Sequence, residues 1–299
     1  MDKKWTILSG FWLKIIAFIL MTIDHVGWAL AEFVGDNFFL VDPFRYIGRL
    51  ALPLFCFLIV EGVMNTKHFG RYALRLGIMA TLISGALIVV EYVPLFDGYS
   101  LWAQGNIFID LLLGALTVYL LKRKGIYFKL LSILPLAFSI VSFAVTSYEN
   151  SGNIVYWFPF FLRMQYGWYS LLMMAGFYFA YILKGWALEY HESKTGMKKE
   201  YLEGSFLDRN LTNVFAAGML IVVTTGLFVV SLFMNIDYIF WNPGVQNMAM
   251  FSGAFILLYN GKRGYNAKWF EYGCYFYYPI HLIIIFTIAL LYLISFLKN

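Results

Sequence analysis

The chain has 299 residues, of which 61% are hydrophobic, 20% are aromatic and only 13% are charged. Globular proteins average about 25% charged residues, so this composition excludes a soluble enzyme, and the many aromatic residues exclude a disordered chain. The net charge of +5 is not gathered in a soluble basic domain, so no nucleic-acid partner is expected. We predict an all-α polytopic protein of the cell membrane, bacterial inner or plasma membrane, with membrane lipids as its surroundings.

Spanning helices need about 20 mostly apolar residues, and apolar runs of this kind follow one another along the chain. They predict nine spans, within a range of eight to ten, at 11–33, 45–65, 70–92, 105–122, 127–147, 165–184, 212–234, 246–261 and 274–297. No long linker separates them, so residues 1–299 are predicted to form a single domain. The run 154–166 is short for a span. We expect it to be interfacial or re-entrant, with a tenth span as the alternative.

Basic residues concentrate in alternate loops of the nine-span arrangement. Cytoplasmic loops of membrane proteins carry an excess of Lys and Arg. The arrangement places 17 of the 22 basic residues on one side, among them Lys3, Lys4 and the run Lys122–Lys124. The amino terminus is therefore predicted to be cytoplasmic and the carboxyl terminus external. The polar stretch 185–211 falls on the cytoplasmic side, and we expect it to form a solvated or membrane-surface helix.

Ionisable side chains inside apolar spans are costly and are retained mainly where they face a cavity or one another. Eight ionisable residues of the predicted spans are the candidates for a site: Lys14, Asp24, His25, Arg45, Arg49, Glu61, Asp110 and His281. Two of the four histidines are in this set, which makes them the candidates for a catalytic imidazole. The histidines lack the spacing of metal ligands and both cysteines lie in apolar runs, so no metal site is expected.

Helical geometry sorts the polar residues of the first two spans. Lys14 and His25 fall on one stripe about 16 Å apart along the axis, and both are predicted to face the bundle. Asp24 points about 100° away from His25, so we expect it to pair with an arginine of the second span. Arg45 and Arg49 form an i, i+4 pair that could hold a carboxylate or a phosphate, or could instead reach the outer headgroups.

Polar residues also repeat on one face of the fourth predicted span. Asn106, Asp110 and Gly114 follow one another at four-residue spacing. This pattern favours a polar site and an ordinary helix contact equally.

The last span carries the sequence Tyr277-Tyr278-Pro279-Ile280-His281. Pro279 has no N–H, so it is expected to free the carbonyl of residue 275 near His281, while Tyr277 lies one turn from His281 on the same face. A structural histidine and a functional one are equally compatible with this pattern.

Three cations, Lys67, Arg71 and Arg75, stand at the start of the third predicted span. They act either as topogenic charge or as a site for phosphates.

These segments together resemble the TraX family of membrane acetylases. The matching stretches are Leu13–Ala17, Met21–Gly27, Ile47–Phe55 with Glu61 and Gly62, Arg71–Leu76, Asn106–Phe108, Tyr166 with Gly167, and Tyr277–Leu282. The resemblance runs from end to end of the chain. The family's name-giving member acetylates the amino terminus of a conjugative pilin, and the family is similar to larger transmembrane acyltransferases that use acyl-CoA and a histidine in an early helix.

The resemblance implies an acetyltransferase that moves an acetyl group from acetyl-CoA, on the cytosolic side, to an amine or hydroxyl of an envelope acceptor. The acceptor is expected to be a protein amino terminus, a sugar or a lipid. His25 is then the expected general base, with Asp24 in the same catalytic group. The expected substrate-orienting or oxyanion-binding residues are Arg45, Arg49, Asn106, Asp110, Tyr277, Tyr278 and His281, and the expected donor-binding residues are Lys14, Arg71 and Arg75.

Two other classes of function fit a polar cluster inside a membrane. A secondary transporter of a small polar or anionic solute is the main alternative, although no paired repeats with broken helices are evident. A scaffold for envelope assembly is the third possibility, and it alone would tolerate loss of His25.

Overall fold

The computed structural model describes residues 6–34, 39–91, 105–150, 152–153, 155–234 and 243–297. Within these ranges the protein is helical and no strand occurs; a single isolated bridge joins Leu8 to Tyr259. The predicted all-α fold class is confirmed. Lys3 and Lys4, which contribute to the predicted orientation, lie outside the described residues.

Thirteen α-helices make up the described chain. They are α1 (Gly10–Val34), α2 (Asp42–Gly48), α3 (Ala51–Asn65), α4 (Phe69–Glu91), α5 (Ile107–Lys122), α6 (Ile126–Leu131), α7 (Ile133–Asn150), α8 (Trp168–Thr195), α9 (Lys199–Leu202), α10 (Phe206–Met234), α11 (Pro243–Asn247), α12 (Gly253–Leu257) and α13 (Lys268–Leu297). Two 3-10 segments, Phe160–Leu162 and Met248–Ser252, lie before α8 and α12.

Seven helical stretches of the described chain are long and apolar enough to cross a bilayer. They are Gly10–Ala31, Asp42–Asn65, Phe69–Val89, Ile126–Glu149, Trp168–Thr195, Phe206–Phe233 and Lys268–Tyr292. Each coincides with a predicted span, and the protein is a multi-pass membrane protein. The other two predicted spans are shorter: α5 has 16 residues, and 246–261 is divided among α11, a 3-10 segment and α12. The count of nine is therefore approximate, and the cytoplasmic amino terminus stays a prediction.

The second predicted span, 45–65, is divided between α2 and α3. Arg45 lies inside α2, whereas Arg49 caps the carboxyl end of that helix. Pro53 cannot donate to a carbonyl four residues earlier, but it is tolerated in the first turn of α3, where no such bond is needed. The continuous helix predicted here is thus corrected to two helices that meet beside Arg49.

The polar stretch 185–211 is largely helical, but it is divided among the end of α8, the short α9 and the start of α10, and the predicted single solvated or membrane-surface helix is corrected in this respect. α8 continues to Thr195, so its 28 residues extend over about 42 Å and exceed a hydrocarbon core of about 30 Å. Lys184 Nζ on α8 lies 2.8 Å from Asp208 Oδ1 on α10. Beyond this pair, Glu189 accepts a hydrogen bond from Lys199, which raises the pKa of that lysine.

The chain divides into two compact units. Unit 1 comprises Met1–Phe55 with Ala180–Asn299, and unit 2 comprises Cys56–Phe179. The single domain over 1–299 stays a prediction. The eight ionisable candidates are divided between the units, because Glu61 and Asp110 belong to unit 2 and the other six belong to unit 1.

Candidate functional site

Two buried histidines form a hydrogen-bonded pair in unit 1. His25 on α1 and His281 on α13 are 9% and 6% exposed, and Nδ1 of His25 lies 2.7 Å from Nε2 of His281. Nδ1 of His281 lies 2.7 Å from the carbonyl oxygen of Tyr277, one turn earlier in α13. The two histidines predicted within apolar spans therefore meet at one site.

The hydrogen bonds of this pair assign its tautomers. The carbonyl oxygen of Tyr277 can only accept, so Nδ1 of His281 carries the proton and donates it. A neutral His281 then has an unprotonated Nε2, which accepts the Nδ1–H of His25. In neutral His25 the remaining nitrogen, Nε2, holds a lone pair, and no described residue hydrogen-bonds to it. The arrangement thus presents an unprotonated ring nitrogen on α1.

The backbone carbonyl that bonds to His281 is not the one that Pro279 was expected to free near it. Pro279 does lie inside α13, where its missing N–H was expected to free the carbonyl of Tyr275 for the site. His281 instead bonds the carbonyl of Tyr277, because a side chain in a helix leans toward the preceding turn.

Aromatic rings surround the two imidazoles. The ring of Tyr277 stacks on His281, with centroids 5.0 Å apart, and on Phe18 of α1, with centroids 4.3 Å apart. Thr22 Oγ1 donates its one hydrogen to the carbonyl of Phe18. The hydroxyl of Tyr277 lies 2.6 Å from Thr22 Oγ1 and is therefore the donor of the hydrogen bond between them. The ring of Tyr278 makes edge-to-face contacts with both imidazoles. These rings fix the orientation of the pair, and donation by Tyr277 or Tyr278 to an oxyanion stays a prediction.

Asp24 pairs with two arginines. Its Oδ1 lies 2.7 Å from Nη2 of Arg49, and its Oδ2 lies 3.1 Å from Nη1 of Arg45. Arg49 is almost fully buried and also donates to Gln246 Oε1 at 3.4 Å, whereas 22% of the Arg45 side chain is exposed. The predicted pairing of Asp24 with an arginine of the second span is confirmed. These ion pairs give the carboxylate of Asp24 a structural role, since it holds α1 to α2. A catalytic role for Asp24 stays a prediction.

Two glycines allow this close approach of α1 and α2. A Cβ atom at Gly48 would overlap the side chain of Asp24, and one at Gly27 would overlap that of Phe44. Neither glycine was predicted from the sequence to be needed here. Each lies within three residues of a charged side chain in an apolar run, and this was the available signal. Gln246 was not predicted either, because it belongs to a distant segment and has no local pattern that points to Arg49.

Lys14 lies near the amino end of α1, in the same unit as His25. Its ammonium group stands 5.9 Å from the ring centroid of Phe270, and the side chain is half-buried. Because α1 is continuous from Gly10, the axial distance from Lys14 to His25 is about 16 Å. The predicted contact of Lys14 with donor phosphates stays a prediction.

In unit 2, Asp110 of α5 binds the backbone that precedes α8. This fully buried carboxylate accepts from the N–H of Gln165 at 2.7 Å, the N–H of Tyr166 at 3.0 Å and the hydroxyl of Ser170 at 2.8 Å. Buried polar groups are normally paired in this way, and these bonds give Asp110 a structural role. Its predicted contact with substrate stays a prediction.

Asn106 is equally engaged within unit 2. It caps α5 by accepting from the N–H of Phe108, and its Nδ2 donates to the carbonyl of Ala80 at 2.8 Å and to Ser84 Oγ at 3.0 Å. An amide with its acceptor and donors used in this way supports a helix cap and a helix contact. Oxyanion binding by Asn106 stays a prediction.

The segment predicted to be interfacial or re-entrant is not an α-helix in its described part. It contains the 3-10 segment Phe160–Leu162, so a tenth span at 154–166 is not supported. Side chains of the neighbouring helices satisfy its backbone: Ser84 donates to the carbonyl of Phe161, and Ser142 accepts from the N–H of Met164. Buried Arg163 pairs with Glu149. Non-helical backbone at membrane depth requires such partners.

The predicted phosphate-binding arginines lie in unit 2, on α4. Arg71 is exposed and Arg75 is half-buried. Their role in binding the donor stays a prediction.

The chain is similar to a curated protein of fimbrial assembly. The chain is 30% identical over 135 residues to the "Probable fimbrial assembly protein FimC, serogroup H1" of Dichelobacter nodosus. The aligned region covers 44% of this chain and 54% of the relative. The chain thus spans about half the length of this relative. No solved structure matches the chain significantly. The profile of the family described as "TraX protein" matches residues 9–289, and this chain therefore belongs to the TraX family.

Proposed function

We propose that the protein is a membrane acyltransferase that moves an acetyl group from acetyl-CoA to an amine or a hydroxyl, with Nε2 of His25 as the general base. One observation carries this proposal: the hydrogen-bonded series from the Tyr277 carbonyl through His281 to His25 leaves a lone pair on that nitrogen. Membership of the TraX family supports it, because the resemblance to that family implies an acetyltransferase.

The proposed reaction balances protons through His25 alone. Nε2 takes the proton of the acceptor N–H or O–H while the acceptor atom attacks the thioester carbonyl. The π electrons of the carbonyl move to its oxygen, and a tetrahedral oxyanion forms. When this oxyanion collapses, the C–S bond breaks and the leaving thiolate takes the proton from Nε2, so His25 returns to its neutral form. Between these steps the imidazolium donates its Nδ1–H to His281, which stabilises its charge and its orientation.

The ion-pair group that includes Asp24, the residue before His25, supplies positive charge for the oxyanion. Asp24, Arg45 and Arg49 together carry a net charge of +1. The donors of Arg49 are directed to Asp24, Gln246 and the carbonyl of Arg45. We therefore assign oxyanion stabilisation to Arg45, the more exposed of the two arginines.

The acceptor proposed first is the amino terminus of a pilus or fimbrial subunit. The name of the Dichelobacter nodosus relative, a probable fimbrial assembly protein, supports this class, as does the resemblance to an enzyme family whose name-giving member acetylates a pilin.

For the donor we propose that Lys14 contacts its phosphates, because this cation lies on the same helix as His25 at an axial distance of about 16 Å.

The test measures transfer of label from acetyl-labelled acetyl-CoA by the purified protein in lipid nanodiscs. The acceptors are a peptide with a free amino terminus, the same peptide with a blocked amino terminus, an amino sugar and a hydroxyl-bearing lipid. We expect transfer to the free peptide, and a loss of about 100-fold or more in His25→Ala. His68→Ala is the matched control, since His68 is exposed.

Folding of each variant is checked by its elution volume and thermal midpoint in detergent. Unchanged transfer by a folded His25→Ala protein would remove the proposed base. Solute uptake into liposomes without consumption of acetyl-CoA would replace the enzyme by a transporter.

A further inference from the structure

Unit 2 carries two cationic turns that contain no carboxylate. The stretch 62–75, which joins α3 to α4, and the stretch 119–132, which joins α5 to α6 and α7, lack Asp and Glu altogether. Their cations with exposed side chains are Lys67, Arg71, Lys122, Arg123 and Lys124. We call these five residues the basic rim.

Specific contacts hold the two turns of the basic rim together. Nζ of Lys122 donates to the carbonyls of Met64, at 2.9 Å, and Val63, at 3.3 Å, in the last turn of α3. A cation is favourable at this place because the helix carboxyl end carries partial negative charge. The rings of Phe69 and Tyr119 stack in parallel with centroids 3.9 Å apart. Cations from distant parts of the sequence therefore belong to one fixed surface.

Arg123 is oriented by aromatic side chains. Its guanidinium carbon lies 5.7 Å from the ring centroid of Tyr119 and 5.1 Å from that of Phe128. Stacking on ring faces orients a guanidinium while its edge keeps the geometry that matches phosphate oxygens. The basic rim thus contains an oriented guanidinium, suited to phosphate oxygens, beside the ammonium groups of its lysines.

The surroundings of the basic rim indicate the kind of ligand. Large apolar side chains next to it are exposed: Ile126, Tyr127 and Leu130 on α6, Leu134 on α7 and Leu74 on α4. In a membrane protein such a surface contacts acyl chains, and tyrosine is enriched at the membrane boundary. The cations therefore border a lipid-facing surface, which fits a ligand with an anionic head and apolar chains. A soluble phosphate compound would leave the apolar part unused.

We propose that the basic rim binds the headgroups of anionic phospholipids in the leaflet that it faces. Basic residues next to a spanning helix attract acidic lipids, and the attraction increases with each cation near the surface. The fixed arrangement of the two turns makes this a defined headgroup site. The proposal does not depend on the proposed acyl transfer.

The experiment measures binding of short-chain phosphatidylglycerol and of phosphatidylcholine with the same chains to the full-length protein in neutral detergent, by native mass spectrometry. We expect phosphatidylglycerol to bind at least ~10-fold more tightly. The test variant is Arg71→Gln with Arg123→Gln and Lys124→Gln, which keeps Lys122 and hence the contact between the turns. It should lose at least ~10-fold in affinity for phosphatidylglycerol and leave phosphatidylcholine unaffected.

Two controls make the result decisive. Lys194→Gln with Lys198→Gln removes exposed lysines near the end of α8, in a stretch that also carries glutamates, and should leave lipid binding unchanged. The charge-preserving variant Arg71→Lys with Arg123→Lys should retain most of the preference, which separates loss of charge from misfolding.

Equal binding of the two lipids, or an unchanged triple variant, would reduce the basic rim to topogenic charge. Displacement of phosphatidylglycerol by coenzyme A or inorganic pyrophosphate at similar concentration would make it a site for soluble phosphates and overturn the proposal.

Discussion

His25 and His281 lie 256 positions apart in the chain, yet Nδ1 of the first and Nε2 of the second are 2.7 Å apart. The carbonyl of Tyr277 accepts a hydrogen bond from Nδ1 of His281 and cannot donate one. This acceptor therefore fixes the direction of both hydrogen bonds, from His281 to Tyr277 and from His25 to His281. In the proposed mechanism His281 is a positioning residue, because it acts on the acceptor only through His25.

Replacement of His281 tests this positioning role. In His281→Leu, Nδ1 of His25 loses its acceptor, and we expect kcat to fall by about 100-fold with a change in KM for acetyl-CoA of less than about threefold. In His281→Gln the side-chain oxygen can accept the same proton, so part of kcat should return. Steady-state kinetics of both variants check this. Equal loss in both variants, or a loss confined to KM, would contradict a positioning role.

Replacement of Asp24 by Asn leaves two arginines without their anionic partner. Because Arg49 is nearly fully buried, we expect Asp24→Asn to lower the free energy of unfolding by about 3 kcal/mol. Denaturant titration in mixed micelles measures this loss. Arg45→Lys, which keeps one charge at the more exposed partner, serves as the comparison and should cost less than about 1 kcal/mol. A stable Asp24→Asn protein would show that this ion pair does not hold α1 to α2.

Gly48→Ala should disturb the same contact sterically. The added methyl group would overlap the carboxylate side chain of Asp24, and overpacking of this kind costs about 1–3 kcal/mol. Gly85→Ala is the matched control, because a Cβ atom there meets nothing within 4 Å and alanine favours the helix. Thermal unfolding in detergent should separate the two variants in opposite directions. Similar midpoints would argue against close packing at Gly48.

Asp110→Asn should loosen the backbone ahead of α8. The side-chain NH₂ of asparagine would face backbone N–H groups that now donate to Asp110, so donor would meet donor. A buried polar group would then be unpaired, at a cost of about 2 kcal/mol. Hydrogen exchange should then be faster at the amides of Gln165 and Tyr166. Ser170→Ala removes one bond to the same carboxylate and should cost about 1 kcal/mol. Unchanged exchange in Asp110→Asn would contradict the structural role of this carboxylate.

The positions of the long helices could be predicted from the sequence because hydropathy depends on local composition. The first span was predicted at 11–33, and α1 covers Gly10–Val34. The pairing of Asp24 with an arginine was also predictable, since the angular offset from His25 follows from helix geometry. The break beside Arg49 was missed because Pro53 is compatible both with a continuous apolar run and with the first turn of a new helix.

Contacts between distant segments could not be predicted in this way. The sequence placed His25 and His281 in apolar runs, but their hydrogen bond depends on how α1 packs against α13. Asn106 and Asp110 were recognised as one polar face, but the backbone groups before α8 that occupy Asp110 have no sequence signal of their own. Periodicity identifies which face of a helix is polar and leaves open what that face binds.

The most direct test of the proposed base is the protonation of its ring nitrogens, measured by nitrogen-15 NMR of the histidine-labelled protein at neutral pH. His25→Ala and His281→Ala assign the two buried rings among the four histidines. Both rings should be neutral and protonated at Nδ1, with the Nε2 resonance of His25 at the position of an unprotonated nitrogen. A proton on Nε2 of His25, in either the neutral or the charged ring, would contradict its role as the general base.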